Sequence, residues 1–455
     1  MKDVALLSMT DAAARLARGE ITSVALTEAC LARIASEDQA INAFITVMGD
    51  EARAAAKAAD KERTAGRARG RLHGLPISVK DLVDLGGVRT TAGSAVRRDV
   101  VAKHDAPAMA ALRDAGVVFV GKTNLHEFAF GTTSEDSAFG PTKNPLDLSR
   151  SPGGSSGGSA ASVVAGMALA SIGTDTGGSI RIPAAACGLV GLKPTFGELN
   201  TNGVVPLSHS MDHLGPLART VADAAMLYRA MRRVALDDPW PAPASLSHVR
   251  LGIPRGYFFD LLDSDVRQHV EETIARLKRQ GVTFTEVTIP HATDIAPIYL
   301  HTVLAEAAAY HAASLERQPQ DYTPNVRIRL EMGRYVLGED YLRAQRGRLV
   351  LRREVDAALD GVHGLLTPSL PVAATPLGAA TVPVGDATES VRNITLRLTQ
   401  PFNLTGHPAI TIPCGRTATG LPSGVQIAGP HGRTEALLQL ASACEPHIRS
   451  GMSRG

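Results

Sequence analysis

Aromatic residues are scarce in this 455-residue chain, at 4% of the sequence, so it offers no large stacking platform for flat ligands. A surplus of one charge is missing too. Lysine and arginine number 47 against 45 acids, which leaves no overall field to gather a nucleic acid. Cys30, Cys187, Cys414 and Cys444 form no CxxC pair, arguing against zinc or a disulfide framework and for reduced thiols. No apolar run reaches membrane-spanning length: the longest weakly polar stretch, 160–173, is short and broken by Ser162 and Ser171. The opening segment MKDVALLSMTDAAARLARGE has neither an apolar h-region nor a small-residue cleavage site, so no secretory signal is expected. No fixed-period repeat occurs. A cytoplasmic protein with no membrane segment is the expectation.

What remains describes a soluble globular chain with a sizeable core: 44% hydrophobic and 20% charged. Residues 9–60 are alanine-rich with helical spacing and predict two or three helices (Ala12, Leu16, Val24, Leu26, Ala29, Leu31, Ile34). Over 65–225 short apolar runs such as Leu75–Val79 and Val117–Val120 alternate with helical segments such as 106–115 and 159–167. That alternation predicts a sheet covered by helices. HVRLGIP at 248–254, a helix near 264–280 and a strand near 283–288 continue the β/α pattern, 297–360 reads as helical, and 363–430 returns to strands. The proline-rich stretch 237–244 (DDPWPAPA) is the best linker candidate, and we read it as a surface loop. The basic run 61–71 (KERTAGRARGR) reads as a solvated helix end and loop, with a binding patch as the alternative.

Two glycine–serine segments carry the chemistry. SPGGSSGGS at 151–159 and GTDTGGSIR at 173–181 can turn sharply and leave amides uncovered, each with a small hydroxyl at its tip. A hydroxyl beside free amides is the minimum for acyl transfer, a nucleophile with an oxyanion hole. Upstream, Leu75, Ile77 and Val79 form a buried strand pattern that ends in Lys80. A lysine delivered to a site by a strand end is partly desolvated, which disfavours the ammonium form and allows a neutral general base.

Taken with GLPISVKD and TDTGGSIRIPAAACGLVGLKPTFG, these segments resemble the amidase signature family in kind, order and spacing. The similarity extends to QPFNLTGHPAITIP at 400–413. The resemblance implies an α/β fold with a large mixed, twisted sheet covered by helices on both faces, and a single domain over 1–455. Within it, 1–60 is a helical part, 65–225 the core with the chemistry, and 226–455 the rest of the sheet and pocket helices. It implies a nucleophile at Ser179, a relay at Ser155 preceded by a cis peptide bond, and a base at Lys80. Backbone amides of Thr176, Gly177, Gly178 and Ser179 are the implied oxyanion donors, with Ser156, Asp175 and Arg181 in support. Phe128, Gly131 and Thr132 are expected along the acyl pocket, with Thr133 beside them. No metal or other cofactor is implied. The expected partner is a small amide, with no nucleic acid bound directly; assembly is open, a homodimer being one candidate.

The function expected is hydrolysis of a non-peptide carboxylic amide to acid and amine or ammonia. The chief alternative within the family is the glutaminase subunit of a glutamyl-tRNA(Gln) or aspartyl-tRNA(Asn) amidotransferase. Such a site needs a cation for an α-carboxylate, for which Arg327 or Arg329 are candidates, and an anion for an α-amino group. Those subunits carry an acid just after a GLQIIG-like strand. Here the strand is GVQIAG at 424–429, with Arg433 in the acidic place and Glu435 nearby, and Asp212-His213 stands where glutamine-dependent members show DQ. His213 itself reads as a residue that pins a turn. A ureide hydrolase and an inactive scaffold rank lower; retention of the lysine and both serines argues against the scaffold. GGSSG at 153–157 also fits a nucleophile elbow, but the preceding PTKNPLDLSRSP is polar and proline-broken where that motif needs an apolar strand. No G-K-[ST] follows the glycines, and His126-Glu127 lacks a second histidine at 130.

Overall fold

The computed structural model describes residues 3–234 and 245–453 of the chain. Strands numbered in chain order are β1 (Phe44–Val47), β2 (Pro76–Lys80), β3 (Val118–Thr123), β4 (Ser171–Asp175), β5 (Val190–Lys193), β6 (His213–Ala218) and β7 (Arg250–Ile253). They continue with β8 (Thr283–Glu286), β9 (Gly364–Pro368), β10 (Thr381–Val384), β11 (Ala387–Ser390), β12 (Ala409–Arg416) and β13 (Pro422–Ala428). Eleven of them form one sheet in the order β1-β3-β2-β4-β6-β5-β12-β13-β9-β7-β8, while β10 and β11 form a separate hairpin. The sheet is mixed. β2 runs parallel to both β3 and β4, β7 runs parallel to β8 and β9, and antiparallel pairs join these two parallel parts.

Every residue of β2 through β6 is buried, as happens when helices cover both faces of a sheet. The edge strand β8 (TFTE) is mostly exposed and polar, which discourages further pairing. One large apolar cluster runs from Met9 and Leu16 to Leu438 and Ile448, and a second packs Leu31 and Ile34 on Phe44, Val118 and Val120.

The N-terminal helices are Met9–Ala17, Ser23–Ile41 and Gly49–Thr64. Inside them lies a strand the helical spacing does not predict: Phe-Ile-Thr-Val of β1 is too short to show a period and becomes a strand by pairing antiparallel with β3. The helix expected over 159–167 is Gly157–Val164. It starts early because its two glycines let backbone come close; a Cβ at Gly158 would overlap the carbonyls of Asn124 and Ala43. The later helices Ser264–Arg279, Ile295–Arg317, Pro324–Gly333 and Gly338–Ala358 match their sequence pattern. The basic run is a helix end and surface loop, with Arg69 paired to Glu62 at 2.6 Å. The linker candidate 237–244 lies outside the described residues. All four cysteines are free and buried.

Candidate active site

Parallel pairing aligns Ser78 with Ser171 and Val79 with Ile172, so β2 and β4 end side by side, one in Lys80 and the other in Asp175. Such strand ends are where an α/β sheet presents side chains to a ligand. Lys80 is completely buried, and its Nζ lies 2.8 Å from Ser155 Oγ and 2.7 Å from Thr174 Oγ1. Burial drives its pKa from 10.5 to about 7, with Asp175 and Asp212 pulling the other way. The neighbouring Asp81 does not neutralise it: that carboxylate pairs with Lys122 at 2.9 Å and accepts from the Thr91 amide. Lys80 is therefore a buried amine facing two hydroxyls.

Ser155 follows a cis peptide bond from Gly154. Ser134 clamps its loop: the Ser134 hydroxyl reaches the carbonyls of Gly153 (3.1 Å) and Ser155 (3.2 Å) and accepts from the Gly157 amide at 3.0 Å. Ser156 ties this loop to the second one. Its amide donates to the Ser179 carbonyl at 3.3 Å, and its hydroxyl donates to the Thr174 carbonyl at 3.2 Å. Lys80 and Ser155 are fully closed off at 0% exposure, whereas Ser179 retains 5%, so of the three it is the one open to an incoming molecule.

The loop 176–179 is held by what surrounds it. A Cβ at Gly177 would overlap the Tyr299 hydroxyl, and one at Gly178 would overlap Thr399 Oγ1. Gly178 also has φ of +142°, which L side chains rarely adopt. Thr399 Oγ1 donates to the Gly177 carbonyl at 2.6 Å. Among the described residues, no protein acceptor takes the amides of 177–179, which leaves them free for a ligand. Thr176 Oγ1 donates to Asp212 at 2.6 Å, and that carboxylate also accepts from the amides of Leu207 and Ser208. Burial still lifts Asp212 to about 6.

Behind the loop, Arg181 meets Asp175 with two bonds of 2.9 and 3.0 Å, both side chains fully buried. The guanidinium also donates to Thr399 O, Gln426 Oε1 and Asn403 Oδ1, so its donors are well used. Asn403 Nδ2 returns to Asp175 at 2.8 Å. Burial alone would raise Asp175, but Arg181 holds it well below the usual carboxylate range. His213 bridges the carbonyls of Asp175 and Met211 through Nδ1 and stands 3.2 Å from Lys193 through Nε2. Burial and the lysine keep its ring neutral, a pinning role.

A cleft of two lobes lies beside the serine loops: Tyr299 and Leu396 of one lobe pack on Gly177, and Thr132 and Thr133 of the other on Gly154. One, of about 410 Å³, is walled by Tyr257, Tyr299, Leu396 and Gln400. The other, of about 350 Å³, is walled by His126, Thr132, Thr133 and Arg329, and Arg392 lines both. Of the expected pocket residues, Thr132 and Thr133 lie on this cleft. Phe128 packs into the interior, its ring 4.3 Å from His311 and 5.5 Å from Tyr322. Gly131 makes room for the His126 imidazole, which a Cβ would overlap. Arg327 points outward to Glu331, whereas Arg329 lines the cleft. Thr174, Ser134, Tyr299, Arg392, Thr399, Asn403 and Gln426 did not stand out in the sequence. Only QPFN and GVQIAG carried a hint of the last two.

Against known proteins, the Amidase family model matches residues 25–438. A glutamyl-tRNA(Gln) amidotransferase subunit from Roseiflexus sp. (strain RS-1) is 40% identical over 475 residues, covering 96% of this chain and 95% of the relative. An amidase from Pseudomonas putida is 40% identical over 443 residues, covering 94% of each. Among solved structures, a crystal structure of an amidase superposes with TM-score 0.91 at 36% identity, covering 97% of this chain and 100% of that one. The corresponding glutamyl-tRNA(Gln) amidotransferase subunit from Thermotoga maritima superposes with TM-score 0.78 at 30% identity, covering 97% and 95%.

Proposed function

This chain belongs to the amidase family and is an amide-hydrolysing enzyme, and we propose that it cleaves a non-peptide carboxylic amide through Ser179, Ser155 and Lys80. The observation that carries the reading is the fully buried Lys80 amine, 2.8 Å from the Ser155 hydroxyl, in a loop bonded to Ser179. With its pKa near 7, a large share of Lys80 is neutral at neutral pH. Its lone pair takes the Ser155 proton while Ser155 takes that of Ser179, and the Ser179 oxygen attacks the amide carbon. The carbonyl oxygen becomes an oxyanion facing the unused amides of the 176–179 loop, where each donor is worth about 10²–10³ in rate. Lys80 returns its proton through Ser155 to the departing nitrogen, the C–N bond breaks, and acid remains as an ester on Ser179. Water hydrolyses that ester by the same relay. No metal or other cofactor enters these steps.

A glutaminase that feeds an amidotransferase is the second reading, favoured by relatives of that description. Against it, Arg433 stands exposed where an acid is wanted, and His213 is occupied in holding a turn. A serine-reactive fluorophosphonate tests the mechanism: it should modify Ser179 in the wild type, and Lys80→Ala should abolish that labelling at neutral pH. Unchanged labelling of Ser179→Ala overturns the assignment. Ammonia release from glutamine, aliphatic, aryl and ureide amides, without partner proteins, separates the two readings. Turnover of glutamine alone would favour the glutaminase.

A further inference from the structure

The cleft beside the serine loops holds a guanidinium with no partner of its own. Arg392 is the second residue of the short helix Val391–Leu396, and one turn on, Leu396 lies against Gly177. On the far side the Thr132–Thr133 peptide lies against Gly154. Arg392 lines both lobes between those two walls. Its Nε is closed to solvent, and among the described residues its guanidinium has no hydrogen-bond acceptor and no ion-pair partner. Arg329, on the same cleft, donates to the Phe130 carbonyl and adds a second cation.

Most of the nearby acids have partners of their own, and Asp136 also faces Arg329. Asp136 lies 3.2 Å from His126 and accepts from Asn325 at 3.2 Å, and Glu135 accepts from the Gly378 amide at 2.7 Å. Glu389 lines one lobe only and forms no ion pair with Arg392. Asp175 and Asp212, behind the loop, are bound to Arg181 and Thr176. Removing a cation from water without a counter-charge is costly, whereas a planar guanidinium with free donors matches a carboxylate in a two-point grip.

We infer that the amide hydrolysed at Ser179 belongs to a molecule that also carries a carboxylate, and that Arg392 grips this carboxylate with Arg329 in support. This rests on the hydrolase reading above and narrows it to substrate class. With the scissile carbonyl at Ser179 and the anion at Arg392, monoamides of dicarboxylic acids fit better than simple neutral amides. Glutamine carries the carboxylate too, but its ammonium meets no uncommitted acid among the groups named, apart from Glu389 in one lobe.

Paired ligands test this on the full chain. Succinamate and glutaramate should raise the melting temperature of the wild type, and the uncharged diamides succinamide and glutaramide should not. In turnover, the ratio of kcat/KM for glutaramate over glutaramide should fall about 10- to 150-fold in Arg392→Gln, the range for a charged hydrogen bond. Arg392→Lys should recover part of it. Both substrates meet the same sample, so a partly unfolded variant does not distort the ratio. Should Arg392→Gln fail to fold, the wild-type melting comparison still decides. Equal stabilisation by charged and neutral ligands, or equal loss of both activities, overturns the inference. Failure of Ser179 labelling in the wild type would sink the hydrolase reading while leaving the anion comparison intact.

Discussion

Replacing Lys80 by methionine should make the protein more stable near pH 7, and the gain should fade as pH rises. The amine is fully buried, and its pKa drops from 10.5 to about 7. In the unfolded chain the same amine stays protonated until about pH 10.4. Between these values the folded state holds fewer protons than the unfolded, so unfolding takes up a proton and stability rises with pH. Across the window of about 3.5 units this amounts to about 5 kcal/mol, at about 1.4 kcal/mol per unit. Methionine keeps the length of the side chain without the proton. It also loses the contacts to Ser155 and Thr174, a cost independent of pH over this range because neither hydroxyl titrates. The stability difference between Lys80→Met and wild type should therefore shrink by about 2.3 kcal/mol from pH 7, where the folded amine is half protonated, to pH 9. Urea unfolding of both proteins at the two pH values measures it. The same amine predicts that wild-type kcat/KM falls tenfold per unit below pH 7 and levels off above. A difference that stays constant from pH 7 to 9, together with a rate still climbing at pH 9, would refute a depressed Lys80.

Other substitutions probe the supports. Asp175→Asn leaves the buried Arg181 without its counter-charge and should cost about 3–5 kcal/mol, read as a lower melting temperature. Gly178→Ala forces a side chain into φ of +142° and against Thr399, and should slow labelling of Ser179 about 10²–10³-fold, as when an oxyanion donor is lost. Phe128→Ala should cost about 3–5 kcal/mol of stability while leaving the ranking of substrates unchanged, since the ring packs on His311 and Tyr322. Arg327→Gln, which removes only an outward pair with Glu331, should leave turnover within about twofold, because exposed ion pairs contribute little.

Legibility in the sequence followed the range of the interactions. Helices such as Ser264–Arg279 and Gly338–Ala358 run long enough for periodicity to show, whereas β1 has four residues and exists through its pairing with β3. At the site, the glycine–serine loops and the strand ending in Lys80 were readable because their properties are local. Close backbone turns require glycine within a few positions, and an alternating run requires a strand.

By itself, then, the chain determined where the hydroxyls, the glycine turns and the strand-end amine fall and the order in which they come. Tertiary structure decided their state. Asn403 reaches Asp175 from 228 residues away and Thr399 reaches Gly177 from 222, separations at which no local pattern records a partner. Lys80 is a weak acid near neutrality only because strands and helices from the whole molecule exclude water from it, and that exclusion is a property of packing. The same holds for Arg392: its residue type is written in the sequence, but its lack of a hydrogen-bond partner emerges only from the packing around it.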